Sequence, residues 1–326
     1  TSMLVPFSWP CPAQICIGRL YWSAQVRWLL HFPVAQPCAV RTHSALPSLT
    51  RRLSRRVYRK ASTLEVLQQL LPPKLAAGLP PRATRPLIVG KIGVICIDAA
   101  SELRNSRYLP LLGQVLLEKN PQLKTVALES ALGPDHSAGG GRDPYSLREW
   151  QIIAGAPSLR TTVIEHGRQF AVDLRSCFWN GKRGTERYRL ATEIVEYCQV
   201  ALQARVGSPR ASTSVLVCDL TAGVGALAVH IATLAATSSV SVVVAANDWN
   251  PAASVLAMHN RARNHLTEQQ MQVGSLPVAD FVRMLASQPE RWCDSGAVLI
   301  LDAPRPEGIS NLLHSVRPLL QAHTEI

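Results

Sequence analysis

The chain has 326 residues, 34 basic and 22 acidic side chains and 47% hydrophobic content, enough for about two domains and too apolar for a disordered polyelectrolyte. Nine basic residues and no acid lie in residues 1–64, so most of the formal charge of +12 sits in the first fifth, and the remainder is nearly balanced. Eight cysteines at irregular spacings exclude a disulfide scaffold, and Cys11 and Cys16 have no second pair at zinc-site spacing; reduced thiols and no metal site are expected.

Residues 1–64 are Arg-rich, Ser/Thr-containing and acid-free up to Glu65, the composition of an organelle transit peptide. This predicts a mitochondrial matrix protein. The cluster RRLSRRVYRK (Arg51 to Lys60) equally suits a nuclear address or an RNA-binding patch, so nucleus and cytoplasm are the alternatives. LEVLQQLL, residues 64–71, predicts a short amphipathic helix. The Pro-rich stretch from Pro72 to Pro86 is expected to be a linker that sustains neither helix nor sheet. No membrane span is expected. Residues 28–40 are broken by Pro33 and Pro37, and the uncharged run 220–247 contains a Gly turn and His230.

A middle domain is expected over 87–190. LIVGKIGVICID (Leu87 to Asp98) is β-rich, 101–119 has helical spacing, and LKTVALES (Leu123 to Ser130) is a strand. Gly133 to Pro144 reads as a loop and Leu147 to Ala156 as a short turn or helix. TTVIEHG and RQFAVDL, 161–174, read as a hairpin turning near Gly167. This is an α+β module that names no function by itself.

The last domain is expected over 191–326. Apolar strands at 215–219, 240–248, 271–273 and 297–304 alternate with helices, which argues for a parallel sheet covered on both faces. Ligands bind such sheets at the carboxyl ends of the strands. There fall Asp219 with Thr221, Gly223 and Gly225, then Asp248 with Trp249, and Asp302. The pattern D-x-x-A-G-x-G lacks the third glycine of a pyrophosphate loop, which favours a nucleoside ligand such as S-adenosylmethionine; an acid ending the next strand suits ribose hydroxyls. Five bases, Arg175, Lys182, Arg183, Arg187 and Arg189, lie close to Phe178 and Trp179, a combination suited to phosphates and stacked bases.

From about residue 88 to 304 the chain resembles the tRNA (guanine-N1)-methyltransferases that modify position 37, just 3′ of the anticodon. The resemblance lies in Glu102 to Val126, in REWQIIAG (Arg148 to Gly155), in DLRSCFWNGKRGTERYRL (Asp173 to Leu190), and in DLTAGVGALA and NDWNP. It implies an α/β fold in which a Rossmann-like class I methyltransferase domain, with a sheet expected to need strands beyond Ile326, follows a smaller α+β domain. It implies methyl transfer from S-adenosylmethionine to guanine N1, with tRNA through its anticodon loop as partner, no membrane, and a monomer. It makes Glu186 the general base, Arg148 a steadying contact to the target guanine, and Arg187 a candidate cofactor contact. Asp302 stands where the family has asparagine, Pro277 where it has the acid that binds the adenine amine, with Asp280 as a candidate substitute, and Ser146 where an arginine is frequent. NDWNP also resembles the aminocarboxypropyl transferases of wybutosine synthesis, the alternative enzyme. A catalytically impaired tRNA-binding remnant is the alternative outside enzymes.

Overall fold

The structure, a computed structural model, describes residues 16–17, 55–98, 101–129, 145, 147–204, 214–238, 240–287, 297–300, 314 and 316. Asp302, Ser146, the loop from Gly133 to Pro144 and most of the basic leader lie outside the described residues. Packing divides the chain into two compact units: Arg27–Thr162 with Asp173–Arg175, and Thr1–Val26, Val163–Val172 and Ser176–Ile326. The boundary expected near residue 190 falls instead inside a 20-residue helix, Gly184–Gln203, and the hairpin tip joins the C-terminal unit.

In the N-terminal unit, helix Thr63–Leu70 begins with a capping box. The Ser62 hydroxyl accepts the Glu65 N–H, and the Glu65 carboxylate accepts the Ser62 N–H. Its apolar stripe buries Val66, Leu67 and Leu70. The helix Arg55–Lys60 precedes it. The Lys119 ammonium donates to the Tyr58 and Ala61 carbonyls, and the Tyr58 hydroxyl donates to Glu118 at 2.5 Å. Burial and the facing Glu118 carboxylate push that hydroxyl far above its ordinary value. The folded unit therefore already includes residues from Arg55 onward, inside the leader expected over 1–64.

The Pro-rich stretch also folds further than expected, forming the short helices Pro73–Ala77 and Pro81–Thr84. Each opens with proline at its first position, where the missing N–H is no loss and φ is already helical. Ala83 is buried and Leu75, Ala76 and Leu79 pack on the core. The sheet follows the order Leu87–Val89, Ile92–Cys96, Thr125–Glu129, Trp150–Gly155. Its middle pair is parallel and its outer pairs antiparallel. Helix Leu109–Lys119 crosses between the parallel strands and fills the core with Leu112, Val115 and Leu116. Trp150–Gly155 is thus a strand rather than the expected turn or helix, because antiparallel pairing with Thr125–Glu129 satisfies its backbone.

In the C-terminal unit the sheet is parallel throughout. Its order is Cys16–Ile17, Ala297–Ile300, Val215–Asp219, Val242–Asn247, Met271–Gly274. Helices Ala226–Thr237, Pro251–Arg263 and Val278–Ala286 cross between strands. Val215–Asp219 is buried at every position, which explains its unbroken apolar sequence. The strands at 215–219, 240–248 and 271–273 are observed within a few residues of their expected ends; of the strand expected over 297–304, residues 301–304 lie outside the described residues.

The strands Arg160–Glu165 and Arg168–Asp173 form a separate two-stranded sheet. Its turn is His166–Gly167, with φ of 45° and 76°. Two asparagines one helical turn apart serve as a partner for the second strand. Asn260 accepts the Ala171 N–H (2.7 Å) and donates to the Ala171 carbonyl (3.1 Å). Asn264 does the same for Gln169, at 3.1 and 2.8 Å. Four helical residues rise about 6 Å, close to the roughly 6.6 Å between alternate strand residues, so two amides match two strand positions.

Candidate active site

The carboxyl ends of Val215–Asp219 and Val242–Asn247 lie side by side, with Asp219 in register with Ala246. Between them the chain makes the turn from Leu220 to Gly225 into helix Ala226–Thr237. Gly223 has φ of +55°, and a Cβ there would meet no atom within 4 Å. Gly225 has φ of +78° and caps the helix; a Cβ there would lie 3.1 Å from Ala257 and Met271. One glycine therefore leaves open space over the loop and the other permits close packing beneath it.

Asp248 closes this loop. One carboxylate oxygen accepts the Gly223 N–H at 2.7 Å and the other accepts the Asn250 N–H at 2.9 Å. Burial pushes the Asp248 carboxyl above the ordinary carboxylate range, opposed by those two backbone donors. Each oxygen keeps a further lone pair, so the carboxylate still has acceptor capacity for a ligand's hydroxyl groups. Asp219 is buried at the adjacent strand end, and Trp249 is 51% exposed beside Asp248. Thr221 sits partly exposed in the same turn.

Several residues that sequence reasoning passed over build this edge. Asn247, fully buried, accepts the Leu276 N–H at 3.0 Å and donates to the Leu276 carbonyl at 3.0 Å. The Ser254 hydroxyl reaches the carbonyls of Asp248 (3.0 Å) and Gly274 (2.9 Å). Asn250 caps its helix through the Ala252 N–H and donates to the Ser176 carbonyl at 2.7 Å. Asn260 adds a bond to the Val224 carbonyl, inside the glycine loop, at 2.9 Å. Asparagine supplies a donor and an acceptor at once, the property each of these positions uses. Pro277 is the N-cap of helix Val278–Ala286, and Asp280 is bound to Arg283 on that same helix.

The signature segment sits differently from its expected roles. Glu186 lies in the first turn of helix Gly184–Gln203, 42% exposed, and is held by Arg189 at 2.8 and 2.5 Å. Arg189 also binds Glu193. Arg187 turns inward to a buried acid, Glu165, at 2.5 and 3.2 Å. Its guanidinium stacks 4.7 Å from the Trp179 ring centre. Trp179 packs with Phe170 and the cluster around Cys177, Val224 and Leu256. Trp179 is half-buried against that cluster, the packing role rather than the stacking platform that its RNA-binding assignment needs; its neighbour Phe178, 49% exposed, is the outward ring. Of the five basic candidates, Lys182 is exposed and Arg183 half-buried in this unit, and Arg175 is exposed in the N-terminal unit. Arg148 also belongs to the N-terminal unit and is paired there with Glu129, whose second oxygen faces the Cys96 thiol at 3.1 Å.

No family model matches the chain. Over 181 residues it is 32% identical to tRNA (guanine(37)-N(1))-methyltransferase 2 of Arabidopsis thaliana, covering 55% of this chain and 24% of that protein. Over 157 residues it is 31% identical to the tRNA (guanine(37)-N(1))-methyltransferase of Ciona intestinalis, covering 48% of this chain and 28% of that protein. The chain is similar in sequence to tRNA (guanine(37)-N1)-methyltransferases. It spans about a quarter of the length of these two relatives. Its fold is shared with aTrm5 in the complex of aTrm5 and tRNALeu (TM-score 0.53, 19% identity, 78% of this chain and 62% of that one). It is likewise shared with Methanocaldococcus jannaschii Trm5 in complex with adenosine (TM-score 0.50, 18% identity, 78% and 61%). At these identities the likeness establishes the fold alone: an α/β domain with an additional N-terminal domain. No helix among the described residues is long and apolar enough to cross a membrane.

Proposed function

We propose that the chain belongs to a tRNA (guanine(37)-N1)-methyltransferase and holds S-adenosylmethionine on the edge formed by Asp219, Thr221, Gly223, Gly225, Asp248 and Trp249. The observation that carries this reading is the loop closure by Asp248, which accepts the Gly223 and Asn250 N–H groups and keeps acceptor capacity for a ribose. S-adenosylmethionine supplies an electrophilic methyl on a sulfonium whose leaving group departs neutral. Gly223 lets a ligand approach the backbone, because no side chain stands over the loop. Guanine N1 is a poor nucleophile until its proton leaves, and Glu186, once released from Arg189, accepts that proton. Arg148 keeps its assigned contact to the target guanine through the resemblance alone. Lys182 and Arg183 with the outward Phe178 are the candidate groups for phosphates and an unstacked base, and Arg175 is a separate candidate in its own unit. The basic stretch before Arg55 supports a mitochondrial address, tested by whether it imports a fused reporter.

The deciding experiment incubates the full chain and S-adenosylmethionine with tRNA transcripts carrying guanosine or adenosine at position 37, then weighs the digested nucleosides. Guanosine heavier by one methyl group, only from the first transcript, is the expected result. A product heavier by an aminocarboxypropyl group assigns the wybutosine-type transfer instead. Folded protein that neither binds the cofactor in a calorimeter nor modifies either transcript leaves the tRNA-binding remnant.

A further inference from the structure

Glu165 ends the first strand of the hairpin, and its side chain is only 6% exposed. Burial opposes its ionisation, but the facing His230 imidazole and the Arg187 guanidinium outweigh it and hold the carboxyl below its ordinary value. The His230 Nε2 lies 3.8 Å away, beyond hydrogen-bond distance. The Arg187 pairing is bidentate, at 2.5 and 3.2 Å, and the same guanidinium donates to the Asn180 carbonyl at 3.3 Å and covers the Trp179 ring. Arg187 thus has three partners that fix its direction.

Gly184 meets the same acid. A Cβ on Gly184 would stand 3.0 Å from both the Glu165 carboxyl carbon and its Oε1. The first turn of helix Gly184–Gln203 is therefore seated on Glu165 at two of its first four residues. The next residue joins in: the Tyr188 ring stacks on His166 at 4.1 Å and 8°, and both meet His230 edge-on. Successive helical side chains differ by about 100° in direction. Fixing Arg187 and Tyr188 inward therefore fixes where Glu186, one residue earlier, points.

We propose that Glu165 is a positioning residue for Glu186, acting through Arg187, and that the hairpin tip Glu165–Phe170 is the seat of the catalytic turn. This rests on the methyltransferase reading given above. The chemistry asks for such a seat, because proton transfer from guanine N1 requires the carboxylate within hydrogen-bond reach, and small misplacements of reacting groups are costly.

The test uses the full chain with E165Q, which keeps the shape and removes the charge. If E165Q does not fold, E165Q/R187M, which discharges both partners, replaces it. Amide hydrogen exchange of the peptide covering 180–190 is measured first and needs no activity. It is expected to accelerate about tenfold or more, while strand Val215–Asp219 keeps wild-type protection. Single-turnover methyl transfer is then expected to slow about 10- to 100-fold with tRNA and cofactor affinities within about threefold. On an E186Q background, E165Q is expected to cost nothing further. Wild-type exchange at 180–190 overturns the seat. The same fractional loss on the E186Q background overturns the positioning role and leaves a general structural one. A wild-type chain that transfers no methyl group sinks the functional reading, and with it the aim at Glu186; the exchange result then judges the seat alone.

Discussion

Replacing Asn260 by leucine probes the link between hairpin, helix and glycine loop. Asn260 is fully buried and makes three hydrogen bonds, two to Ala171 and one to Val224, at 2.7, 3.1 and 2.9 Å. Leucine has the same number of side-chain heavy atoms and is somewhat bulkier, so no cavity arises, but an amide and two carbonyls lose their partner at a fully buried position. At roughly 0.5–1.5 kcal/mol for each bond, the loss centres near 3 kcal/mol. For a unit of this size that lowers the melting temperature by about 6–12 °C. Urea unfolding followed by tryptophan fluorescence measures it, with an unchanged denaturant slope as the check that the unfolded state is the same. Asn260→Ala, which leaves room for a water, is expected to lose less. A leucine variant within about 0.5 kcal/mol of wild type would refute the view that these asparagines replace a missing strand.

Glu186→Gln is expected to leave tRNA affinity nearly intact and to depress single-turnover methyl transfer about a hundredfold or more; wild-type turnover refutes the base assignment. For Asp248 the sign follows from its raised value. The folded chain holds that proton more tightly than the unfolded one, so stability falls as pH rises from the ordinary aspartate value of about 3.9 through the raised one. Cofactor binding, which uses the carboxylate, strengthens over the same interval. Asp248→Asn is expected to abolish that pH step in calorimetric titrations and to weaken cofactor binding at neutral pH. Gly223→Ala and Gly225→Ala separate ligand access from packing. Both pay about 1 kcal/mol of left-handed backbone strain, but only the second also crowds Ala257 and Met271. Gly223→Ala should therefore lose cofactor affinity with little loss of melting temperature, and Gly225→Ala should melt markedly lower; equal melting temperatures count against the packing argument.

The parallel sheet was legible because its cause is local. Val215–Asp219 and Val242–Asn247 are nearly continuous apolar runs, as strands buried on both faces must be, and Gly223, Gly225 and Asp248 punctuate their ends. Trp150–Gly155 was not legible, since a short apolar run becomes a strand only when another strand pairs with it. Nor was the inward turn of Trp179 and outward turn of Phe178, because a loop has no periodicity to assign faces. The asparagines at 247, 260 and 264 and the acid at 165 carry no local signal of their roles. Their partners are backbone groups 29, 89 and 95 residues away and an arginine 22 residues away. By itself, then, the sequence determined where chain segments bury apolar surface and where a ligand loop begins. Only the tertiary structure decided which polar groups are buried, because burial must be matched by a hydrogen-bond or charge partner, and that partner comes from elsewhere in the chain.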